Sequence, residues 1–193
     1  MKEKKYRRGL IFEEAARLFS VKGYKATSMK DIANALDIEA ASLYNHIKSK
    51  QEILGILLVS ISDKFHSSIT NVENSSYSNK EKLKEIIKIH IRIVVENQNV
   101  SSLILYNWKY LEEPYLSKYV ESRRYYLSVF KNIVTKGIES GELKMANPWV
   151  TLNFILSSLR WIYSKDSYNI NQDINVVELE KSILDFVFSG IDP

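Results

Sequence analysis

Two short apolar-periodic runs joined by a turn of two residues constrain this chain more than any other stretch. From Ser28 to Leu36, Met29, Ile32, Ala33 and Leu36 recur at i, i+3, i+4 and i+7. One side of that helix is therefore apolar and has to be covered. Ser28 with Asp31 fits a capping box, where hydroxyl and carboxylate satisfy donors that a first turn leaves open. Asp37-Ile38 leaves room for a turn alone, and a second helix is predicted from about Glu39 to Ile47. Ser49-Lys50-Gln51-Glu52 reads as another capping box opening a third helix. It puts Lys50 in a first turn, where a cation opposes the helix dipole and a nearby phosphate would account for it.

The second helix is furnished unlike a core element. Leu43 and Ile47 sit four apart and can pack inward, but Ala40, Ala41, Ser42, Asn45 and His46 are small or hydrogen-bonding. Tyr44 adds a phenol that can reach a phosphate. A helix of this kind can approach a groove closely and read it, as the second helix of a helix-turn-helix must. On that reading Thr27, Ser28, Lys30, Ala41, Ser42, Tyr44, Asn45, His46 and Lys50 form a double-stranded-DNA surface. Ser28, Tyr44 and Lys50 are expected to grip phosphate. Asn45, Ser42 and the Ala41 methyl are the better candidates for reading bases.

Charge distribution agrees. Residues 1–50 carry eleven Lys/Arg against six Asp/Glu, and the remainder sixteen against seventeen. The positive excess thus lies in the segment holding the expected reader, where counterion release at phosphates needs it.

Beyond the reader, the chain predicts an all-α protein of about nine helices. Three prolines, six glycines and helical apolar periodicity nearly throughout carry that expectation. Zero cysteines exclude disulfides, thiol redox sensing and cysteine-ligated zinc. The absence of an apolar run of membrane-spanning length argues against a membrane partner, and the cytoplasm is the expected compartment. The predicted division is 1–49 as a helix-turn-helix DNA-binding domain and 50–193 as a helical ligand-binding and dimerisation domain.

In order, helices are predicted at about 5–22, ended by Gly23, then over the reader, then from Lys50 to the polar run Asn71–Asn79. Ser78 with Glu81 caps the next, to about Asn97, whose inward face includes His90. A lone histidine there is a hydrogen-bonded core residue or a ligand contact, and no second histidine stands at metal-binding spacing. A short aromatic helix over about 100–111 precedes a long one from Pro114 to about Ser140. In the long helix Leu116, Val120, Arg123, Leu127, Phe130 and Val134 step by four and three, so Arg123 is expected in an apolar stripe. A guanidinium buried there needs a carboxylate (Glu112, Glu113 or Glu121) or an acidic ligand. Tyr106, Trp108 and Tyr126 could line a cavity or simply fill core. Asn147-Pro148 opens a helix to about Lys165, and a last one spans about 176–189. Those two carry apolar residues around most of their circumference, more than one subunit covers, so a homodimer through the last two helices is expected. A twofold pair would also set two reading heads on the order of 34–36 Å apart.

Gly23-Tyr24, Thr27-Ser28, Asp31-Ile32-Ala33, Leu36, Ser42-Leu43-Tyr44, His46 and Lys50 together resemble the DNA-binding domain of TetR-type transcriptional regulators. The departure is Asp37, where that family usually has glycine because the turn needs positive φ. Aspartate tolerates that region better than most residues. Asn107-Trp108-Lys109, Arg123-Arg124-Tyr125, Gly137 to Leu143 and Leu159 to Tyr163 loosely resemble the body of the branch that regulates fatty-acid and steroid catabolism. Members of that branch commonly respond to acyl-coenzyme A thioesters. The resemblance implies a small-molecule effector, with an acyl-CoA as candidate, whose polar part meets Arg123 or Arg124. Trp108, Tyr126 and Trp161 would line its acyl part.

The leading expectation is a one-component regulator, a repressor, that binds a palindromic operator as a dimer and is released by its effector. The competing reading is a ligand-independent DNA-binding or architectural dimer, or an activator. An enzyme has no support: the chain contains no Gly-rich phosphate loop, nucleophile elbow or HExxH, and no bound cofactor is expected.

Overall fold

Helix starts along the chain coincide with the side chains that can cap them. In a computed structural model, which describes residues 2–144, 146–164 and 175–193, Ser28 and Asp31 close a full capping box at α2 (Met29–Ala35). Ser78 and Glu81 do the same at α5 (Asn79–Glu96). Asn147 accepts from the first amides of α8 (Pro148–Leu159), with Pro148 at its first position. At α4 (Lys50–Glu73) the box closes on one side only: Ser49 Oγ accepts from Glu52 N at 3.1 Å. The Glu52 carboxylate reaches one residue further back, to Lys48 N at 2.7 Å. The other α-helices are α1 (Lys2–Val21), α3 (Ala40–Tyr44), α6 (Gln98–Tyr106), α7 (Tyr115–Glu139) and α9 (Val176–Ile191). Short 3-10 turns follow α6 (Trp108–Tyr110) and α8 (Arg160–Tyr163). The fold is all-α, with nine α-helices and no strand among the described residues.

Glycines and one aspartate make the sharp turns. Gly23 (φ 90°) and Gly141 (φ 74°) end helices in the left-handed region, and Asp37 alone among non-glycine described residues adopts it, at φ 53°. The α2–α3 turn therefore has the shape that glycine usually provides.

The chain forms two compact units. The first comprises Met1–Ile61 with Asn99–Tyr119. Its core is built from Ile11, Ala15 and Phe19 of α1, Ile32 and Ala33 of α2, Leu43 and Ile47, and Ile53, Leu54 and Leu58 of α4, all at most 2% exposed. The later segment of this unit packs onto the same elements. Tyr110 stacks on Tyr24 with ring centroids 5.8 Å apart, and its carbonyl accepts from Gln51 Nε2 at 2.6 Å. Ser102 donates to Ser20 Oγ at 3.1 Å. Gly55, inside α4, is there because the Tyr115 ring occupies the space a Cβ would need.

The second unit comprises Ser62–Gln98 with Val120–Pro193. Leu83, Ile87 and Val94 of α5, Phe130 and Val134 of α7, Leu152 and Leu159 of α8, and Ile162 are fully buried. Arg92 ties α5 to α9 through a two-pronged pair with Glu180 (2.6 and 3.0 Å). Glu142 accepts from Lys80 N at 2.9 Å and Asn79 Nδ2 at 2.8 Å, adding a second acidic cap to α5.

One expectation needs correction here. Arg123 is exposed, as is Arg124, so no buried guanidinium interrupts the α7 stripe. Phe130 and Val134 of the predicted row are buried, but in the first part of α7 the inward positions are Tyr119, Ser122 and Tyr126, one position off the predicted Val120, Arg123 and Leu127. Leu116, Val120 and Leu127 are only half-buried. The physical reason is that the inward positions are taken by phenol rings and small residues, which a count of aliphatic side chains underweights. Ser122 Oγ, for example, is satisfied by the Ser62 carbonyl at 3.2 Å.

Candidate nucleic-acid interface and interior site

α3 is anchored from one side and bare on the other. Leu43 is 0% and Ile47 1% exposed, while Tyr44 remains 52% exposed. Ala41, Tyr44 and Asn45, at i, i+3 and i+4, share the outward face. Ser42 and His46 flank it half-buried, and Ser28 and Lys30 of the preceding helix are exposed as well. The helix is shorter than predicted: hydrogen bonds from Asn45 N and His46 N to the Ser42 and Leu43 carbonyls tighten its end into a turn.

Two of the predicted contact residues lie behind this surface. Thr27 is 1% exposed, and its hydroxyl donates to the Gly23 carbonyl at 2.8 Å, closing the turn that leads into α2. Lys50 turns its ammonium inward, to the carbonyls of Tyr24 (2.8 Å) and Thr27 (2.7 Å), and over the Tyr24 ring at 4.6 Å. Burial lowers the Lys50 pKa, with the Asp31 charge opposing that shift. Both side chains brace the turn that presents α2 and α3. Asp31 is held well below the usual carboxylate range, first by the Lys22 hydrogen bond (2.7 Å) and then by Ser28.

The five predicted ligand residues divide between the two units. Tyr106 and Trp108 belong to the first unit, where Tyr106 is exposed and Trp108 stacks on Tyr119. Arg123, Tyr126 and Trp161 belong to the second. There Tyr126 lines a narrow slot with Phe65, Ser68, Ile69, Ile86 and Ile89. Trp161 lines a separate apolar groove of about 410 Å3 with Leu179, Ile183 and Phe186.

Sequence reasoning left Tyr163 out of the interior polar set, and it belongs there. His90 Nδ1 is 2.9 Å from Tyr126 Oη, and His90 Nε2 is 2.8 Å from Tyr163 Oη, so a buried imidazole bridges two phenols. Phe65 packs against both His90 and Tyr126. His90 is thus a hydrogen-bonded core residue, the first of the two roles open to it. A tyrosine on the buried side of each neighbouring element was the signal available.

Burial pushes the His90 pKa from 6.5 down to about 4. The unfolded chain therefore binds a proton between those values that the folded chain excludes, and stability falls as pH drops through that window. Between pH 7 and pH 5 the expected loss from this group is about 2 kcal/mol, at roughly 1.4 kcal/mol per unit. Urea unfolding at the two pH values should show that loss in the wild type and not in His90→Gln. Equal losses in both would assign the acid sensitivity to other groups.

Comparison with known proteins agrees with this geometry. Residues 11–55 match the family model of bacterial regulatory proteins of the tetR family. Residues 76–164 match the tetracyclin repressor-like C-terminal domain. The chain is 23% identical over 197 residues to the fatty acid metabolism regulator protein of Bacillus subtilis (strain 168), covering 99% of this chain and 98% of that one. It is 27% identical over 139 residues to the HTH-type transcriptional repressor KstR2 of Mycobacterium tuberculosis, covering 70% of this chain and 68% of that one. Its fold matches the crystal structure of AibR in complex with isovaleryl coenzyme A and operator DNA, with TM-score 0.79 and 23% identity over 95% of this chain and 97% of that one. A bare α3 on a braced turn, joined to a helical body, with residues 11–55 and 76–164 matched by models of one regulatory family, leads to one conclusion: this chain belongs to the TetR family of transcriptional regulators.

Proposed function

We propose that the protein is a repressor that binds a palindromic operator as a homodimer and leaves it when a small effector, an acyl-CoA thioester by analogy, enters the body. The observation that carries this reading is the outward face of α3: Ala41, Tyr44 and Asn45 stay uncovered while Leu43 and Ile47 anchor the helix. Residues 1–49 would form the DNA-binding domain and 50–193 the ligand-binding and dimerisation domain. Ser28, Lys30 and Tyr44 would meet phosphates. Ala41, Ser42, Asn45 and His46 would face the groove, with Thr27 and Lys50 holding the turn behind them. Dimerisation through α8 and α9 is supported by five large apolar side chains left exposed on them, Trp149, Val150, Phe154, Val177 and Phe186. The effector analogy rests on the AibR complex with isovaleryl coenzyme A and on the B. subtilis fatty acid metabolism regulator. An effector coupling of roughly 1–3 kcal/mol would weaken operator binding about 5–150-fold.

The test compares a duplex selected from a random library by the wild-type protein with unselected duplex at physiological salt. Asn45→Ala should lower affinity for the selected duplex by about 1–3 kcal/mol and relax preference at one base position. Lys30→Ala should weaken both duplexes alike and reduce the salt slope by about one. Equal wild-type affinity for the two duplexes rules the repressor reading out.

One observation favours a second reading, a dimer that binds DNA without an effector. The slot beside Tyr126 is about 10 Å3, roughly the space one water needs. Native mass spectrometry of protein from its own host separates the two, since a co-purifying thioester is expected only for the sensor.

A further inference from the structure

The geometry points to a DNA-backbone contact outside the helix-turn-helix: Lys109, gathered beside Lys25 by the Tyr110 ring, grips operator phosphate together with it. The inference rests on the DNA-binding reading above. It extends the expected contact surface to the chain segment between α6 and α7.

Every part of this cluster belongs to the first unit. Tyr110 stacks on Tyr24, with 5.8 Å between ring centroids and 20° between planes. Lys50 stands over Tyr24 at 4.6 Å, while Lys25 (4.9 Å) and Lys109 (5.5 Å) both stand over Tyr110. A phenol ring attracts an ammonium through its quadrupole, so one ring gathers two cations that would otherwise repel each other. Both lysines are exposed, and among the described residues no carboxylate forms an ion pair with either. The other lysines around this turn are already engaged. Lys22 donates to Asp31 at 2.7 Å, and Lys50 donates to the carbonyls of Tyr24 and Thr27. Two neighbouring ammoniums without a carboxylate are suited to an anion from outside.

Which anion follows from where the pair stands. Lys25 lies in the turn that opens α2, three residues before Ser28. At no more than about 3.6 Å per residue, its backbone is within about 11 Å of that serine. Ser28 and Lys30 are exposed and belong to the surface expected to meet phosphate. A strand of duplex that passes Ser28 therefore comes within range of the long Lys25 side chain. Lys109 is carried to the same place because its own turn is fixed there. The Tyr110 carbonyl accepts from Gln51 Nε2 at 2.6 Å, and Tyr110 N and Leu111 N donate to the Asn107 and Trp108 carbonyls at 3.0 Å. Glu112 is the opposing charge at this stack. It accepts from Gln51 Nε2 at 3.1 Å and, after burial, raises the Tyr24 pKa. Three lysines stand against that carboxylate, so phosphate is still favoured.

Salt-dependent binding of the full-length protein to library-selected and to unselected duplex provides the test. Each phosphate contact adds about 0.9 to the slope of log affinity against log salt. Lys25→Gln and Lys109→Gln should each lower that slope by about 0.9 and weaken both duplexes about 5-fold at physiological salt. Lys109→Arg keeps the charge and should keep the wild-type slope. Lys131→Gln, at an exposed position of α7 in the second unit, removes the same charge and should also leave the slope unchanged. Single neutral methylphosphonates placed along the selected duplex locate the contact. One position whose neutralisation weakens the wild type should have no effect on Lys109→Gln. A wild-type slope in either glutamine variant overturns the inference, as does an equal fall in Lys109→Arg or Lys131→Gln. So does a methylphosphonate scan of Lys109→Gln that matches the wild type at every position. A wild type without preference for the selected duplex would refute the repressor reading alone, because the slopes are measured equally well on unselected duplex.

Discussion

Phe154→Glu with Phe186→Glu should yield a folded monomer whose operator affinity is at least about 100-fold below that of the wild type. Phe154 and Phe186 are 73% and 74% exposed, and both lie on the face that the proposed dimer would cover. Covering one phenylalanine is worth up to about 3 kcal/mol, and a twofold interface counts each substitution twice. The inward faces of α8 and α9 (Leu152, Ile155 and Leu159; Leu179 and Ile183) are not touched, so the helices should persist. Once the subunits separate, the second half-site loses the high local concentration that the first one confers, and affinity falls without any change at α3. Sedimentation velocity and fluorescence anisotropy read the two effects, with far-UV circular dichroism as the control for folding. A double variant that remains dimeric would move the interface elsewhere. A monomer with undiminished operator affinity would remove the dimer from the mechanism.

Gly55→Val should cost about 3 kcal/mol, at the upper end of what overpacking usually costs. On a solvent-facing helix, replacing a glycine is favourable, because glycine sacrifices most backbone entropy. Gly55 is the reverse case. A Cβ there would overlap the Tyr115 ring, so either the ring leaves its place or α4 is displaced within the first unit. At roughly 2–4 °C per kcal/mol for a chain of this size, thermal unfolding should move down by about 6–12 °C. The double variant Gly55→Val, Tyr115→Ala should recover most of that loss, as expected when two side chains compete for one volume. If the double variant is no more stable than Gly55→Val alone, the overlap is not the cause.

How much of this was legible beforehand depends on whether the deciding contact is local. The capping serines at 28 and 78 and the inward Leu43 and Ile47 were readable, because each is settled within a turn or two of chain, and the positive φ at Asp37 followed from the resemblance to a family with glycine at that turn. Phe154, exposed opposite the buried Leu152, Ile155 and Leu159, was readable on the same local grounds. The first part of the α7 stripe was misplaced because its inward side chains are two phenols and a serine, whose burial depends on partners such as His90 and Ser62 elsewhere in the chain. The inward turn of Lys50 was illegible for a similar reason. Its acceptors are carbonyls more than twenty residues earlier, and a lysine in a first helical turn reads equally well as a phosphate contact.

The placement of Tyr110 has a practical consequence for anyone wishing to transplant the reading head. Tyr24 is held from several sides, by Phe19 edge-on, by the Lys50 ammonium and by the stacked ring of Tyr110, and two of those three come from beyond residue 49. A chimera carrying only the N-terminal segment would leave that ring partly uncovered and its turn slack. A graft intended to keep its sequence preference should therefore take two separate pieces, 1–61 and 99–119, and join them on the new body at matching points.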